Sequence, residues 1–332
     1  MNSSNTDLIV ADIGGTNARF AIARCGAAGQ GISLRAIRDY RNAGLVAFDD
    51  VFALYLDDLD DLDEAAPPHA CFGIAGPVQS GHGRITNLGW VLDTGQLQQR
   101  FGISDVMLVN DFEALAWMLP QLPVGATTAV IDAPAPPAGP RSVIGPGTGF
   151  GVSLVVESGR ERVVVSTECG HMSFAPCTRM ERDLKAFLEP MLGHVSVESL
   201  LSGAGLVRIH DFLIEYAGSG SSVANPADIT AAALDGSQPS CARAVQVFLS
   251  IMGSVAGDIA LAHGATGGIF LGGGVLPRIA ALIPASNFRE RFVDKGPMRD
   301  YLARIPVRLI TEPYIALQGV ASIYLSRRRS GS

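Results

Sequence analysis

Two glycine turns of one design constrain this chain more than any other feature. The first lies in Leu8-Ile-Val-Ala-Asp-Ile-Gly-Gly-Thr-Asn-Ala-Arg-Phe-Ala-Ile-Ala23, the second in Ser142-Val-Ile-Gly-Pro-Gly-Thr-Gly-Phe-Gly-Val-Ser-Leu-Val-Val156. Each is an apolar run, a Gly/Thr turn and a second apolar run, the pattern of a buried strand and its hairpin partner. A third strand is expected after each, near Leu34–Tyr40 and Arg162–Ser166. A further glycine cluster follows at Gly267–Val275. Gly14 and Gly15 permit a sharp turn and place no Cβ in a ligand's way. Such a turn can aim N–H groups at phosphate, and Asp12 before it can face a metal–phosphate group. An ordinary Gly-Gly hairpin with a solvated acid fits the first turn equally well. The repetition adds the prospect of two units gripping a nucleotide from both sides, with the third cluster near the base.

At 332 residues the chain is long enough for two domains. It is 48% hydrophobic and 17% charged, which suits a packed core and argues against disorder. A net charge of -7 argues against nucleic acid as the main partner. The five cysteines are scattered and odd in number, which is no disulfide framework and fits a reducing compartment. The first apolar stretch is too short to span a bilayer and has no basic flank, so a cytoplasmic, membrane-free protein is expected.

Along the chain, Phe48, Val51, Phe52, Tyr55, Leu59 and Leu62 form a helical apolar stripe. The acidic run 57–64 lacks calcium-loop spacing and reads as a solvated face. Cys71–Ala75 reads as a buried strand, and 85–90 as a loop with Trp90 half-buried. The strand Val106–Val109 delivers Asn110 and Asp111 before a helix at Phe112–Leu119. A carboxylate at the carboxyl end of a strand lies where ligands bind, but Asp is also a good N-cap, and the residues alone leave both open for Asp111. Pro120–Pro140 reads as a connector near a domain boundary. The turn at 145–151 has neither a Walker Lys-Ser/Thr nor dinucleotide GxGxxG spacing. Cys169, His171 and Cys177 lack a fourth zinc ligand. Helices are expected at Glu181–Leu192, from Ser196 as cap with Glu198 in its first turn, at Leu206–Ala217, from Asp228, and at Arg243–His263. The last is apolar on most faces and hence buried, with His263 as a dipole-stabilised cap. Residues 218–225 read as a polar loop, and Arg327–Arg329 as a solvated tail.

With Asp12-Ile-Gly-Gly-Thr-Asn-Ala-Arg19, Val109-Asn-Asp-Phe112, Gly145-Pro-Gly-Thr-Gly149, Glu168-Cys-Gly-His171, Val195-Ser-Val-Glu198 and Leu271-Gly-Gly-Gly274 in this order, the chain resembles the bacterial glucokinases of the actin, Hsp70 and sugar-kinase superfamily. The resemblance runs from Asp12 to Gly319. It implies an α/β fold of two ribonuclease-H-like, actin-like ATPase domains flanking a nucleotide and sugar cleft. The small domain would span 1–120 plus 312–332, discontinuous because the last helix packs back, and the large one 121–311. It implies ATP-dependent phosphorylation of D-glucose at O6, feeding glycolysis, with Mg2+ as cofactor and a homodimer as the assembly.

By the same resemblance Asp111 is the general base, and Asn87, Asn110, Asp111, Glu168, His171 and Glu198 bind the sugar. Ala11, Asp12, Ile13, Gly14, Gly15 and Thr16 would meet the nucleotide, with Gly147, Thr148 and Gly149. Gly272, Gly273 and Gly274 would line the adenosine pocket, and Asp12 would hold the metal. Cys169 departs from the glycine common in the family at that place. Two rivals share the fold: a non-catalytic sugar sensor, and an ATPase that needs no sugar and hence no polar set from Asn110 to Glu198. Mannose or glucosamine as acceptor, and polyphosphate or ADP as donor, stay open.

Overall fold

A computed structural model describes residues 6–26, 31–133, 139–159, 161–218, 222–223 and 225–330. The connector expected up to Pro140 and the loop expected at 218–225 lie partly outside the described residues. The chain divides into two compact units, Met1–Leu122 with Glu312–Ser332, and Pro123–Thr311.

The first unit opens with an antiparallel meander of β1 (Thr6–Ile13), β2 (Asn17–Cys25) and β3 (Ile32–Arg41). Helix α1 (Phe48–Asp61) begins where the Asp50 carboxylate accepts the N–H groups of Val46 and Ala47. It buries Phe48, Val51, Phe52, Tyr55 and Leu59, and the rings of Phe48, Phe52 and Tyr55 close on Phe20 and Phe72. Leu62, expected on this stripe, is exposed because the helix has already ended. After β4 (His69–Ile74), the strands β5 (Val78–Gln79), β6 (His82–Ile85) and β7 (Trp90–Asp93) make a small sheet. The loop expected at 85–90 is the turn 86–89 between β6 and β7; the flanking strands went unread because strands of two to four residues show little alternation. Trp90 is buried, not half-buried. Helix α2 (Thr94–Phe101) is capped by Asp93, and β8 (Asp105–Asn110) leads into α3 (Asp111–Met118). The main sheet runs β3-β2-β1-β4-β8, with β1, β4 and β8 parallel.

The second unit begins with β9 (Thr127–Ile131), hidden in the stretch expected to be a connector. Then come β10 (Arg141–Pro146), β11 (Phe150–Ser158) and β12 (Glu161–Thr167), a second antiparallel meander. Four helices follow: α4 (Arg179–Leu192), α5 (Gly203–Ala217), α6 (Pro226–Asp235) and α7 (Pro239–Ala262). The unit ends with β13 (Gly268–Leu271), α8 (Phe288–Val293), α9 (Arg299–Leu302) and β14 (Val307–Ile310). Its sheet runs β12-β11-β10-β13-β14-β9. Among the described residues α7 alone is long and apolar enough to cross a membrane, and most of it is buried in this unit's core. His263 does end α7, but burial holds its imidazole below the ordinary value, so it is a neutral partner of the Ser142 hydroxyl, not a cationic cap.

The last helix, α10 (Ile315–Ser330), packs in the first unit, with Leu317, Val320, Ala321, Ile323 and Tyr324 against Leu8, Val10 and Val109. It continues through the arginines read as a solvated tail. Arg327 pairs with Glu113 and Arg328 with Asp105. The side chain of Arg329 lies outside the described residues.

Candidate active site

In the first unit three parallel strands finish in one row: Ile13 lies beside Ile74, and Ile74 beside Asn110. Ligands of open α/β sheets bind at this carboxyl edge. Asp12 lies in β1 and Asp111 directly follows β8, two strands with only β4 between them and so roughly 10 Å apart. Gly73 makes the crowding possible. A Cβ there would stand 2.9 Å from the Val320 side chain and 3.8 Å from the Asp111 Cα.

The cap of α3 is Asn110, not Asp111. The Asn110 side-chain oxygen accepts the Glu113 N–H at 3.0 Å, and its amide donates to the Gly76 carbonyl at 3.2 Å. Asp111 is the first helical residue, and its Oδ1 accepts the Phe112 N–H at 2.9 Å. The amino end of the helix dipole favours its carboxylate. Asn87 is exposed in the turn between β6 and β7. The N–H of its neighbour Thr86 donates to the Ala75 carbonyl, one residue from the Gly76 that Asn110 holds. The structure thus gathers Asn87, Asn110 and Asp111 about one short segment.

Asp12 sits where burial pushes its carboxyl above the ordinary value; Arg19 opposes that rise and Asp39 adds to it. A carboxyl group raised by burial at the carboxyl edge of an α/β sheet is a candidate site group. The turn beside it corrects the sequence reading. Neither Gly14 nor Gly15 adopts a positive φ, and a Cβ on Gly14 would meet only the Asn17 carbonyl oxygen, at an ordinary 3.5 Å. Neither fold nor packing therefore demands glycine at 14, and the space beside it is open. The Gly14 N–H is committed to closing the turn on Asn17 O, at 2.9 Å. Ala11 and Ile13 are wholly buried in the core and cannot touch a nucleotide in this conformation.

In the second unit the sheet unites two clusters far apart in sequence. Ile144 of β10 lies beside Leu271 of β13, so 145–147 runs along 272–274. A Cβ on Gly145 would stand 2.3 Å from Gly272 O, and one on Gly273 2.4 Å from Pro146 O. Backbone lies on backbone here, and only glycine fits. Gly272 is buried and donates to Ile144 O at 2.8 Å, which leaves Gly273 and the exposed Gly274 as the accessible members. The Gly147 N–H donates to Gly149 O at 2.8 Å, so it too is used within its turn. A Cβ on Gly147 would find nothing closer than Gly274 N, at 4.0 Å.

Glu198 accepts the Phe150 N–H at 2.7 Å, and a Cβ on Gly149 would lie 2.4 Å from that carboxylate. The Glu198 N–H donates to Gly170 O, and Ser173 bridges Ser196. These bonds bring Glu198 to the segment bearing Glu168 and His171, whose side chains are exposed and lie 4.0 Å apart. Glu198 sits in a turn, not in a helix's first turn: α5 starts only at Gly203, capped by Ser202. Cys169 is half-buried between Glu168 and His171, and its sulfur accepts the Thr167 hydroxyl at 3.1 Å.

Sequence reasoning missed three participants. The Phe150 N–H carries no side-chain signal. Gly203 donates to Gly147 O at 2.9 Å and so ties the start of α5 to the second turn; the Ser202 cap ahead of an apolar run was a usable sign. Asn42 is bonded to the first turn from 28 residues away, which no local pattern reveals.

This α/β plan, with acids at the carboxyl edge and glycine turns on each sheet, is the class of the sugar kinases of known structure. A glucokinase from an Antarctic psychrotroph superposes with a TM-score of 0.78 at 34% identity, covering 96% of this chain and 98% of that one. A ROK family glucokinase from Streptomyces griseus, in complex with glucose and AMPPNP, shares the fold with a TM-score of 0.64 at 18% identity, covering 96% and 99%. The family model described as Glucokinase matches residues 9–327. A glucokinase of Nitrobacter hamburgensis is 39% identical over 98% of this chain and 99% of its own. The chain belongs to the glucokinase family.

Proposed function

We propose that this protein is a glucokinase that transfers the ATP γ-phosphoryl group to O6 of D-glucose, and that Asp111 is the general base. Supporting observations are the family membership and the position of Asp111 at the junction of β8 and α3, beside Asn110. The Streptomyces griseus relative was solved with glucose and an ATP analogue, which supports the same two ligands here. A primary alcohol scarcely ionises at neutral pH, so a positioned base is needed as the bond to phosphorus forms. Asp111 accepts the O6 proton, worth about 10²–10⁴-fold. In the first unit Asn87 and Asn110 offer hydrogen bonds to the sugar hydroxyls; in the second Glu168, His171 and Glu198 do so. Such a set disfavours analogues lacking a hydroxyl, because polar groups are then left unpaired.

Among the described residues no three His, Cys, Asp or Glu side chains gather as a metal cage. Magnesium does not need one, since it keeps waters and binds through one carboxylate plus substrate phosphates. Asp12 fits that role: a positive charge beside it relieves the cost of its burial. Bound magnesium would neutralise charge on the phosphates. Gly15, Thr16, Thr148 and Gly149 are the proposed phosphate contacts, and Gly273 and Gly274 the adenosine contacts. The reading extends to two ribonuclease-H-like domains, because both sheets share a meander followed by two parallel strands. It also extends to a cytoplasmic homodimer acting at the entry of glycolysis.

The test is ADP release from Mg-ATP, measured with a panel of hexoses and with no sugar. Glucose-dependent release that stops when magnesium is chelated is expected. Release indifferent to sugar would point to an ATPase. No release, with glucose still bound in calorimetry, would point to a sensor.

A further inference from the structure

We infer that Asn42 is the positioning residue of the first glycine turn, and that it acts by presenting the Gly15 N–H to the nucleotide phosphates. This rests on the kinase reading above. Asn42 follows the last residue of β3 and is 2% exposed. Its side-chain amide donates to the Gly14 carbonyl at 2.9 Å, and its backbone N–H donates to the Thr16 carbonyl, also at 2.9 Å. Its own carbonyl accepts the Leu45 N–H at 3.1 Å, which anchors the residue in turn.

The consequence follows from peptide geometry. In a trans peptide the C=O and the following N–H point to opposite sides, and no cis bond is present among the described residues. Drawing the Gly14 carbonyl towards Asn42 therefore turns the Gly15 N–H away from Asn42. It also keeps that carbonyl oxygen, and that of Thr16, from facing an incoming phosphate, where oxygen would repel oxygen. The Gly14 N–H is spent on Asn17, so Gly15 becomes the donor the turn offers. The Asn42 Oδ1 is buried with no partner among the described residues. A residue kept only to fill space would not need that unsatisfied acceptor. Aspartate is nearly isosteric but supplies no amide donor, so it would set oxygen against the Gly14 carbonyl.

The experiment compares parent, Asn42→Ala and Asn42→Asp by calorimetry with Mg-AMPPNP and, separately, glucose, alongside thermal unfolding. The expected result is an Mg-AMPPNP Kd raised at least tenfold in both variants, more in Asn42→Asp, with the glucose Kd within twofold of the parent. Equal loss of both ligands, or no loss of either, would overturn the assignment. In the parent itself, hydrogen exchange at the Gly15 amide should slow on adding Mg-AMPPNP; unchanged exchange overturns it even if neither variant folds. A parent that binds no Mg-AMPPNP at all would instead bring down the kinase reading.

Discussion

The two glycine turns occupy the same place in two sheets of the same plan, yet they are held in different ways. In the first unit the turn at Gly14–Thr16 is held by one buried residue, Asn42, whose side-chain amide bonds the Gly14 carbonyl and whose backbone N–H bonds that of Thr16. In the second the turn at Gly147–Gly149 is held by main chain, with 145–147 lying on 272–275 and α5 tied on through Gly203. A glycine turn can thus be set by one residue or by the close approach of three chain segments. The glycines differ accordingly. Gly145 and Gly273 are demanded by packing, whereas Gly14 and Gly147 have room for a side chain and are demanded by nothing inside their own unit.

The polar candidate residues divide in a similar way. Asp12 and Asp111 stand at strand ends, fixed by regular structure. Glu168 and His171 stand on a loop braced at its far end by a buried ion pair. There Glu181 accepts the Cys177 N–H at 2.7 Å and meets Arg291 at 2.7 Å.

The largest expected effect comes from removing that brace. Arg291→Met leaves Glu181 buried and unpaired and should cost about 3–5 kcal/mol in chemical denaturation. Burial pushes the Glu181 carboxyl up, but the Arg291 guanidinium and the Cys177 N–H outweigh it and hold it below the ordinary value. Its stabilisation is therefore complete above about pH 4.5 and is lost as pH falls through the lowered value. The variant should unfold with a flatter pH dependence in that acid range.

Gly145→Ala comes next. Its Cβ would meet main chain, which cannot swing aside, so a loss of about 1–3 kcal/mol is expected in the same assay. Asp12→Asn should do the reverse to the fold. Because burial raises the Asp12 carboxyl, the native state holds its proton more tightly than the unfolded chain. Stability then declines as pH rises from about 4 through the raised value and levels off above it. Asparagine removes that decline, so the melting temperature should rise at pH 7 more than at pH 4, while the KM for Mg-ATP increases. Gly147→Ala should have the smallest effect on stability, within about 0.5 kcal/mol, yet raise the KM for Mg-ATP and spare that for glucose. Equal instability in Gly145→Ala and Gly147→Ala would erase the distinction between packing glycines and ligand-facing ones.

What could be read in the sequence depended on how local its cause was. Both hairpins, α1 and α7 were visible because their apolar patterns lie within single elements. β9 was masked by flanking Pro, Ala and Gly, although Thr127–Ile131 is rich in β-branched residues. The helix cap beside the proposed base was ambiguous, since Asn and Asp are equally good caps and adjacent. The approach of 145–147 to 272–274 depends on pairing between strands more than a hundred residues apart. The burial of Ala11 and Ile13 is a property of the finished core. Asn42 was invisible for the same reason, since its partners sit across a sheet.

Whether Asp111 takes the proton from the sugar is tested most directly by one pair of measurements on Asp111→Asn. Calorimetric glucose affinity should stay near the parent value while kcat with Mg-ATP falls about 10²–10⁴-fold. A variant that binds glucose normally and keeps a near-parental kcat would contradict the assignment.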